Sequence, residues 1–313
     1  MLKLKKPEFA VLIASVLFGF TAILTKMLID AFTPIAVLSF RFLFLVITFP
    51  LILHALKKIS FKELFSITKS EFLTLLLLSF FLAADMVLFF QSFYFIDVSK
   101  ALFLFLTYPI ISSVMASIFL KERITRTDIV ATFISMIGIF LIFWKNFNID
   151  FYSFKGEIMV LASALLWSGY LVMNRYSSNI NHYRKTFWIF FLNSAMTFPL
   201  FIIYGRPSSF LEIKAHHIFL LLVLSVFSTL IPYIIMSYTA KDVKSSTSSI
   251  ILLIGPIIGV VLSFIILKEK TPFNVIIGGV FVAVSAIIST YSVEKLFFDS
   301  KHFAKKIILM LLD

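Results

Sequence analysis

The sequence predicts an all-α, multipass membrane protein of ten transmembrane helices arranged as two inverted five-helix repeats. Three observations predict it. The first is composition: of 313 residues, 60% are hydrophobic and only 14% charged, with a mean hydropathy of +1.04. The second is that the apolar residues fall in ten runs, each close to the ~20 residues that carry a helix across a ~30 Å hydrocarbon core. The third is an internal repeat. Pro109 is followed thirteen residues later by the glutamate of Lys121-Glu122-Arg123, and Pro256 by that of Lys268-Glu269-Lys270, an offset of 147. Ala14-Ser15-Val16-Leu17-Phe18-Gly19 aligns with Ala162-Ser163-Ala164-Leu165-Leu166-Trp167 at an offset of 148. Five spans per copy is an odd number, so the second copy enters the membrane upside down. Inverted repeats of this kind place a substrate site where the halves meet.

In chain order the expected spans are 8–29, 34–56, 72–95, 99–119, 127–144, 156–176, 186–204, 216–238, 246–267 and 273–292. No small-residue cleavage site follows the first, so it is expected to be a retained helix and not a removed signal peptide. The connectors 57–71 and 145–155 read as amphipathic or polar linkers, and Lys145-Asn146-Phe147-Asn148-Ile149-Asp150 joins the halves. The first repeat is expected over 1–147 and the second over 148–293, leaving a basic tail at 294–313. In the tail Lys301, Lys305 and Lys306 are interleaved with Phe297, Phe298, Phe303, Ile307 and Leu311. That pattern suits an interfacial helix on an anionic inner leaflet, the alternative being a disordered basic tail. With the N-terminus inside, the inner segments hold 19 Lys and Arg and the outer segments 8, with Arg41 inside a span. The bias puts both termini in the cytoplasm of a plasma or inner membrane.

The repeated unit resembles the EamA-type repeat of the drug/metabolite transporter superfamily over about residues 8–293. The resemblance is carried by Pro109…Glu122 and Pro256…Glu269, by Arg41 in the second helix and Trp167 in the sixth, and by Gly138, Gly278 and Gly279 in the fifth and tenth. It implies five helices per half, a central cavity formed mainly by helices 1, 3, 4, 6, 8 and 9, and export of amino acids or other metabolites. The chain departs from the pattern at Gly19, where the sixth helix has Trp167, and at Asp85 in a third helix that is usually apolar.

Candidate transport residues follow from depth and face. Pro109 and Pro256 each lie ten residues into a span, roughly 15 Å deep at 1.5 Å per residue, near the midplane. Proline removes a backbone donor and strains the preceding turn, so helices 4 and 9 are expected to be kinked gates, with Tyr108 and Gly255 beside the bends; a purely structural kink is the plainer reading. Ser163, Trp167, Tyr170 and Asn174 share one face of helix 6, and Ser15, Gly19, Ala22 and Lys26 the matching face of helix 1. A face with hydroxyl, indole and amide groups belongs against a cavity or a neighbouring helix. Asp85 is read as the one carboxylate deep in a span, level with Arg41 about 10 Å below the outer boundary. It is expected to carry a coupling proton or a substrate amine, or else to be a structural partner of Arg41 or of a serine. Thr229, Pro232 and Tyr233 form a polar, breakable part of helix 8, with Tyr233 as a substrate hydrogen-bonder. Glu122 and Glu269, at helix ends beside basic residues, read as interface pairs.

Other chemistries lack their residues. The absence of cysteine excludes disulfides, thiolate metal sites and a cysteine nucleophile. The net charge of +12 is spread over short loops, so nucleic acid is not expected as a partner. There is no His-Glu-x-x-His, Gly-x-Ser-x-Gly or Gly-x-x-x-x-Gly-Lys, and His216-His217 lacks helical ligand spacing. No enzyme activity, cofactor or metal is expected. The expectation is a secondary transporter that exports an amino acid or related small metabolite by alternating access. The alternatives are import, a drug-like cation or nucleotide-type metabolite as cargo and, outside transport, a polytopic membrane enzyme or a channel. Expected partners are the small-molecule substrate, the lipid bilayer and protons; a homodimer is compatible with the sequence.

Overall fold

The computed structural model describes residues 6–29, 31–121, 126–143, 151–204, 214–270 and 272–290. Glu122, residues 144–150 of the central connector and the 294–313 tail lie outside them. Helices account for nearly all of the described chain, and no strand occurs among the described residues. They are α1 (Lys6–Gly19), α2 (Thr21–Ile29), α3 (Pro34–Ala55), the short α4 (Phe61–Phe65), α5 (Lys69–Ser92), α6 (Val98–Phe105), α7 (Tyr108–Phe119) and α8 (Arg126–Phe143) in the first half. The second half has α9 (Phe151–Tyr176), α10 (His182–Tyr204), α11 (Ala215–Ser225), a π-helical turn (Val226–Leu230), α12 (Ile231–Thr239), α13 (Ser245–Ile251), α14 (Ile254–Ile266) and α15 (Phe273–Thr290).

Long Leu/Ile/Phe runs become helices because a backbone surrounded by hydrocarbon must satisfy its own hydrogen bonds. Their ends are marked by polar residues. Thr33 and Pro34 start α3, and capping boxes of Ser60 with Glu63 and of Thr68 with Glu71 start α4 and α5. Seven stretches among the described residues are long and apolar enough to cross a membrane: Pro7–Ile29, Pro34–Ala55, Lys69–Ser92, Val98–Phe119, Phe151–Tyr176, His182–Tyr204 and Ala215–Thr239. Described residues of the expected spans 127–144, 246–267 and 273–292 are also helical, as α8, α13 with α14, and α15; the apolar pieces Ile254–Ile266 and Phe273–Ser285 of the last two are shorter.

Contacts between the halves come in exchange-related sets. α3 packs on α10 and α8 on α15; α5 on α9 is matched by α12 on α1, and α7 on α9 by α14 on α1. Close approach requires glycine in α8 and α15: a Cβ on Gly138 would stand 2.6 Å from the Gly278 carbonyl oxygen, and one on Gly278 2.5 Å from that of Gly138. Beyond the ends of α7 and α14, Lys121 and Lys268 both take left-handed conformations, with φ of 57° and 53°. The 147-residue repeat thus shares a backbone feature that its residue types do not announce.

Pro109, Gly255 and Pro256, expected as helix-break or gate positions, stand beside full breaks and not beside kinks in continuous helices. The helix stops before each proline and restarts, with residues 106–107 and 252–253 between the pieces. Pro109 is the second residue of α7 and Pro256 the third of α14. A first-turn N–H has no intrahelical partner, so proline costs nothing there. Lys185 is the other departure. One of the 19 basic residues of the inner segments, it lies inside α10, fully buried, its Nζ donating to the Asn174 carbonyl at 3.1 Å.

Candidate substrate cavity

A small cavity of about 90 Å³ sits between the halves, beside both helix breaks. Phe18, Gly19, Thr21, Asp85, Met86, Phe105 and Tyr108 contribute from the first half and Trp167, Tyr233, Gly255 and Pro256 from the second. Small-molecule sites usually offer about 300–1,000 Å³, so the cavity as it stands is smaller than most. A larger groove of about 490 Å³ runs between α5, α7 and α9, but Leu73, Leu77, Phe119 and Tyr176 on its walls are exposed apolar or aromatic side chains of the outer surface.

The wall is a box of aromatic rings. Phe18 meets Trp167 and Tyr233 edge-on at 5.9 and 5.3 Å, Tyr108 meets Trp167 edge-on at 6.5 Å, and Trp167 stacks on Tyr170 at 5.0 Å. Within the box Asp85 is the carboxylate. It is 4% exposed and accepts a 2.5 Å hydrogen bond from Ser163 Oγ across the interface between the halves.

The broken helices are tied together by side chains from the opposite half. Tyr108 donates its hydroxyl to the Ser249 carbonyl in α13 (2.8 Å), and Ser168 donates to the Tyr108 carbonyl (2.9 Å). The Gly255 N–H donates to Ser15 Oγ (2.8 Å). The Ser249 carbonyl is in the last turn of α13, where carbonyls lack an intrahelical partner, and the Tyr108 hydroxyl supplies one; the Gly255 N–H adds Ser15 Oγ to its 3.2 Å bond to the Leu252 carbonyl.

Of the residues singled out from sequence, Asp85, Tyr108, Trp167, Tyr233, Gly255 and Pro256 line the cavity. The others do not. Ser15 and Ser163 are spent on the bonds just described, and Tyr170 is buried behind Trp167. Asn174 donates to the Met236 carbonyl at 3.1 Å and holds α9 to α12. Thr229 donates to the Leu224 carbonyl at the end of α11, and Pro232 lies in the first turn of α12. Pro109 abuts Tyr108 at the start of α7 but is not on the wall. One turn of helix separates residues that share a stripe, so some face the cavity and some the neighbouring helix.

Of the structural partners weighed for Asp85, the serine is present, as Ser163, and an Arg41 ion pair is not found among the described residues. The salt bridges among the described residues are Lys100 with Glu157 and Arg184 with Glu71. Arg41 is fully buried, its Nη2 2.9 Å from Met86 Sδ and its guanidinium over the rings of Phe42 and Phe90 at 5.1 and 5.7 Å. A second buried carboxylate, Glu157, lies near the start of α9, fully buried against Lys100. Glu269 is not an interface ion pair but a cap, accepting from the backbone N–H groups of Val98 and Ser99 at the start of α6, both at 2.9 Å. Nearby Asp97, between α5 and α6, has its carboxyl pushed above the usual range by burial and by Glu269, against the pull of Lys26 and Lys100. Phe18, Phe89, Phe90 and Phe105 on the wall were not legible beforehand, because forty phenylalanines give no means of sorting cavity from lipid.

The model of the EamA-like transporter family matches residues 5–144 and again 154–291, once per half. The chain belongs to the EamA-like transporter family. It is 30% identical over 202 residues to an uncharacterized transporter of Clostridium kluyveri, which covers 63% of this chain and 65% of that protein. It is 26% identical over 206 residues to the uncharacterized transporter YdfC of Bacillus subtilis, covering 64% and 65%. The chain therefore spans about two thirds of the length of these relatives in the matched region. A solved structure described as "Crystal structure of protein" superposes with a TM-score of 0.68 over 91% of this chain and 96% of that one, at 12% identity, a likeness of fold. Family membership and the long apolar helices make this a multipass membrane protein of a transporter family.

Proposed function

We propose that the chain is a ten-span carrier, made of inverted repeats at 1–147 and 148–293, that exports an amino acid or related small metabolite by alternating access. The observation that carries this reading is the pair of helix breaks, at 106–107 and 252–253, flanking a cavity lined from both halves. Breaks at membrane depth beside a cavity between repeats are how carriers expose backbone to cargo, and rocking of one repeat against the other would open the cavity to each side in turn. Both termini are placed in the cytoplasm of a plasma or inner membrane. With the buried Lys185 set aside the basic count is 18 inside to 8 outside, which leaves the bias intact. In this reading Asp85 carries the coupling proton or meets the cargo's amine, and Trp167, Tyr108 and Tyr233 hold its body.

A second reading has one observation in its favour. A carboxylate inside a ring of aromatic side chains suits an organic cation with no carboxylate of its own. Proteoliposomes loaded with a panel of amino acids, metabolites and lipophilic cations test both. Efflux of an amino acid or metabolite supports the first reading, flux of cations alone the second, and no flux of any member above empty liposomes refutes the carrier.

A further inference from the structure

Three buried side chains in or behind the cavity wall have donor groups with no hydrogen-bond partner in the protein: Arg41 at Nε and Nη1, Tyr233 at its hydroxyl, and Tyr170 at its hydroxyl. The three are fully buried, and the rings of Tyr170 and Tyr233 meet edge-on at 5.8 Å. Tyr233 lines the cavity, and so does Met86, whose sulfur is the group standing against the Arg41 guanidinium. A buried guanidinium with unpaired N–H groups is costly, since each charged donor taken from water needs an acceptor. A thioether is a weak acceptor on a flexible side chain, so Met86 closes this pocket without satisfying it.

We propose that Arg41, with the hydroxyl of Tyr233, forms a carboxylate subsite of the transport cavity, so that the cargo is a zwitterion with its carboxylate at this subsite and its ammonium at Asp85. The proposal rests on the carrier reading and adds the charge pattern of the cargo. Charge supports it. Ionised Asp85 and Arg41 together are neutral, and a zwitterion keeps the buried site neutral, whereas a simple cation or anion adds one net charge in a low-dielectric surround. Geometry gives the route. Met86 turns aside, its sulfur is replaced by a carboxylate oxygen, and the unpaired donors of Arg41 and Tyr233 gain a charged acceptor. The same movement adds volume to the cavity. The apolar rings fix the rest of the molecule as an uncharged, hydrophobic side chain.

Calorimetric titration of the purified full chain in lipid nanodiscs tests this with two matched probe sets. One is L-leucine, isopentylamine and isocaproate; the other is L-phenylalanine, phenethylamine and hydrocinnamate. Expected is binding of the zwitterion in at least one set, tighter than its amine or its acid. Arg41→Gln should weaken zwitterion and acid about tenfold or more, as loss of a charged hydrogen bond does, and leave the amine unchanged. Asp85→Asn should weaken zwitterion and amine and spare the acid. If Arg41→Gln does not fold, Tyr233→Phe, which removes one hydroxyl, should give a smaller loss with the same selectivity. An amine that binds as tightly as its zwitterion, an equal loss for all three probes, or no binding of either zwitterion overturns the subsite. Flux of some other metabolite in the liposome panel would leave the carrier standing in each of those cases.

Discussion

Replacing Gly255 with alanine probes the contact on which the broken second-half helix rests. A Cβ built on Gly255 stands 2.8 Å from the Ser15 carbonyl oxygen. Carbon and carbonyl oxygen rest at about 3.3–3.6 Å, so α14 must retreat from α1 by about half an ångström. The obstructing atom is backbone inside a helix, and no rotamer change relieves it. Overpacking of this kind costs about 1–3 kcal/mol. The retreat also stretches the 2.8 Å hydrogen bond from the Gly255 N–H to Ser15 Oγ, worth about 1 kcal/mol more. Thermal and denaturant unfolding in detergent should therefore show a loss of about 2–4 kcal/mol for Gly255→Ala. Ser15→Ala, which removes only the bond, should lose about 0.5–1.5 kcal/mol. The double variant should lose less than the sum, by roughly the energy of the shared bond. Because Gly19 and Gly255 both line the cavity, Gly255→Ala should also slow transport. A variant as stable and as active as the parent chain would refute the reasoning, since α14 would then be free to leave α1.

Further outcomes are expected elsewhere. Trp167→Ala should reduce transport more than expression, because it removes the wall of the cavity and leaves the lipid-facing surface unchanged; parallel losses of both would assign the ring to packing. Asp85→Asn should keep the bond to Ser163, and with it the fold, while abolishing accumulation driven by a pH gradient and sparing passive exchange. Intact gradient-driven accumulation in that variant would remove Asp85 from coupling. Asp97→Asn should raise the melting temperature at neutral pH. A carboxyl whose folded-state pKa is raised loses folding stability as pH climbs from its unfolded value through its folded one. The gain should vanish as pH falls below the ordinary aspartate range, and a pH-independent gain would contradict the assignment. A cysteine at Lys270, on the exposed turn after α14, should react with an impermeant thiol reagent added from outside; protection would contradict the inverted second half.

Composition and a 147-residue offset were enough to read the class of this protein from its chain. The reason is that a membrane leaves few options: a backbone in hydrocarbon must be helical, and helix length is set by bilayer thickness. The matched Pro-and-Glu motif marked the repeat, and the depth of Asp85 and Trp167 marked the middle of the bundle. The choice of Asp85, Tyr108, Trp167, Tyr233, Gly255 and Pro256 rested on residue type and depth, and the structure brings these six to one cavity. Packing decided the rest. Sequence spacing gives the face of a helix but not what lies opposite, so Ser15, Ser163, Asn174 and Thr229, polar and on the right stripes, are taken up by backbone and side-chain partners. Equal depth put Arg41 beside Asp85, but the direction of two side chains sent one to Met86 and the other to Ser163. Proline announced a disturbance of the helix, but whether it bends or stops depends on partners that can satisfy the freed backbone groups. Ser15 and Tyr108 provide them, each from the opposite half of the chain. Those bonds form only when the two halves meet, and no local pattern encodes them.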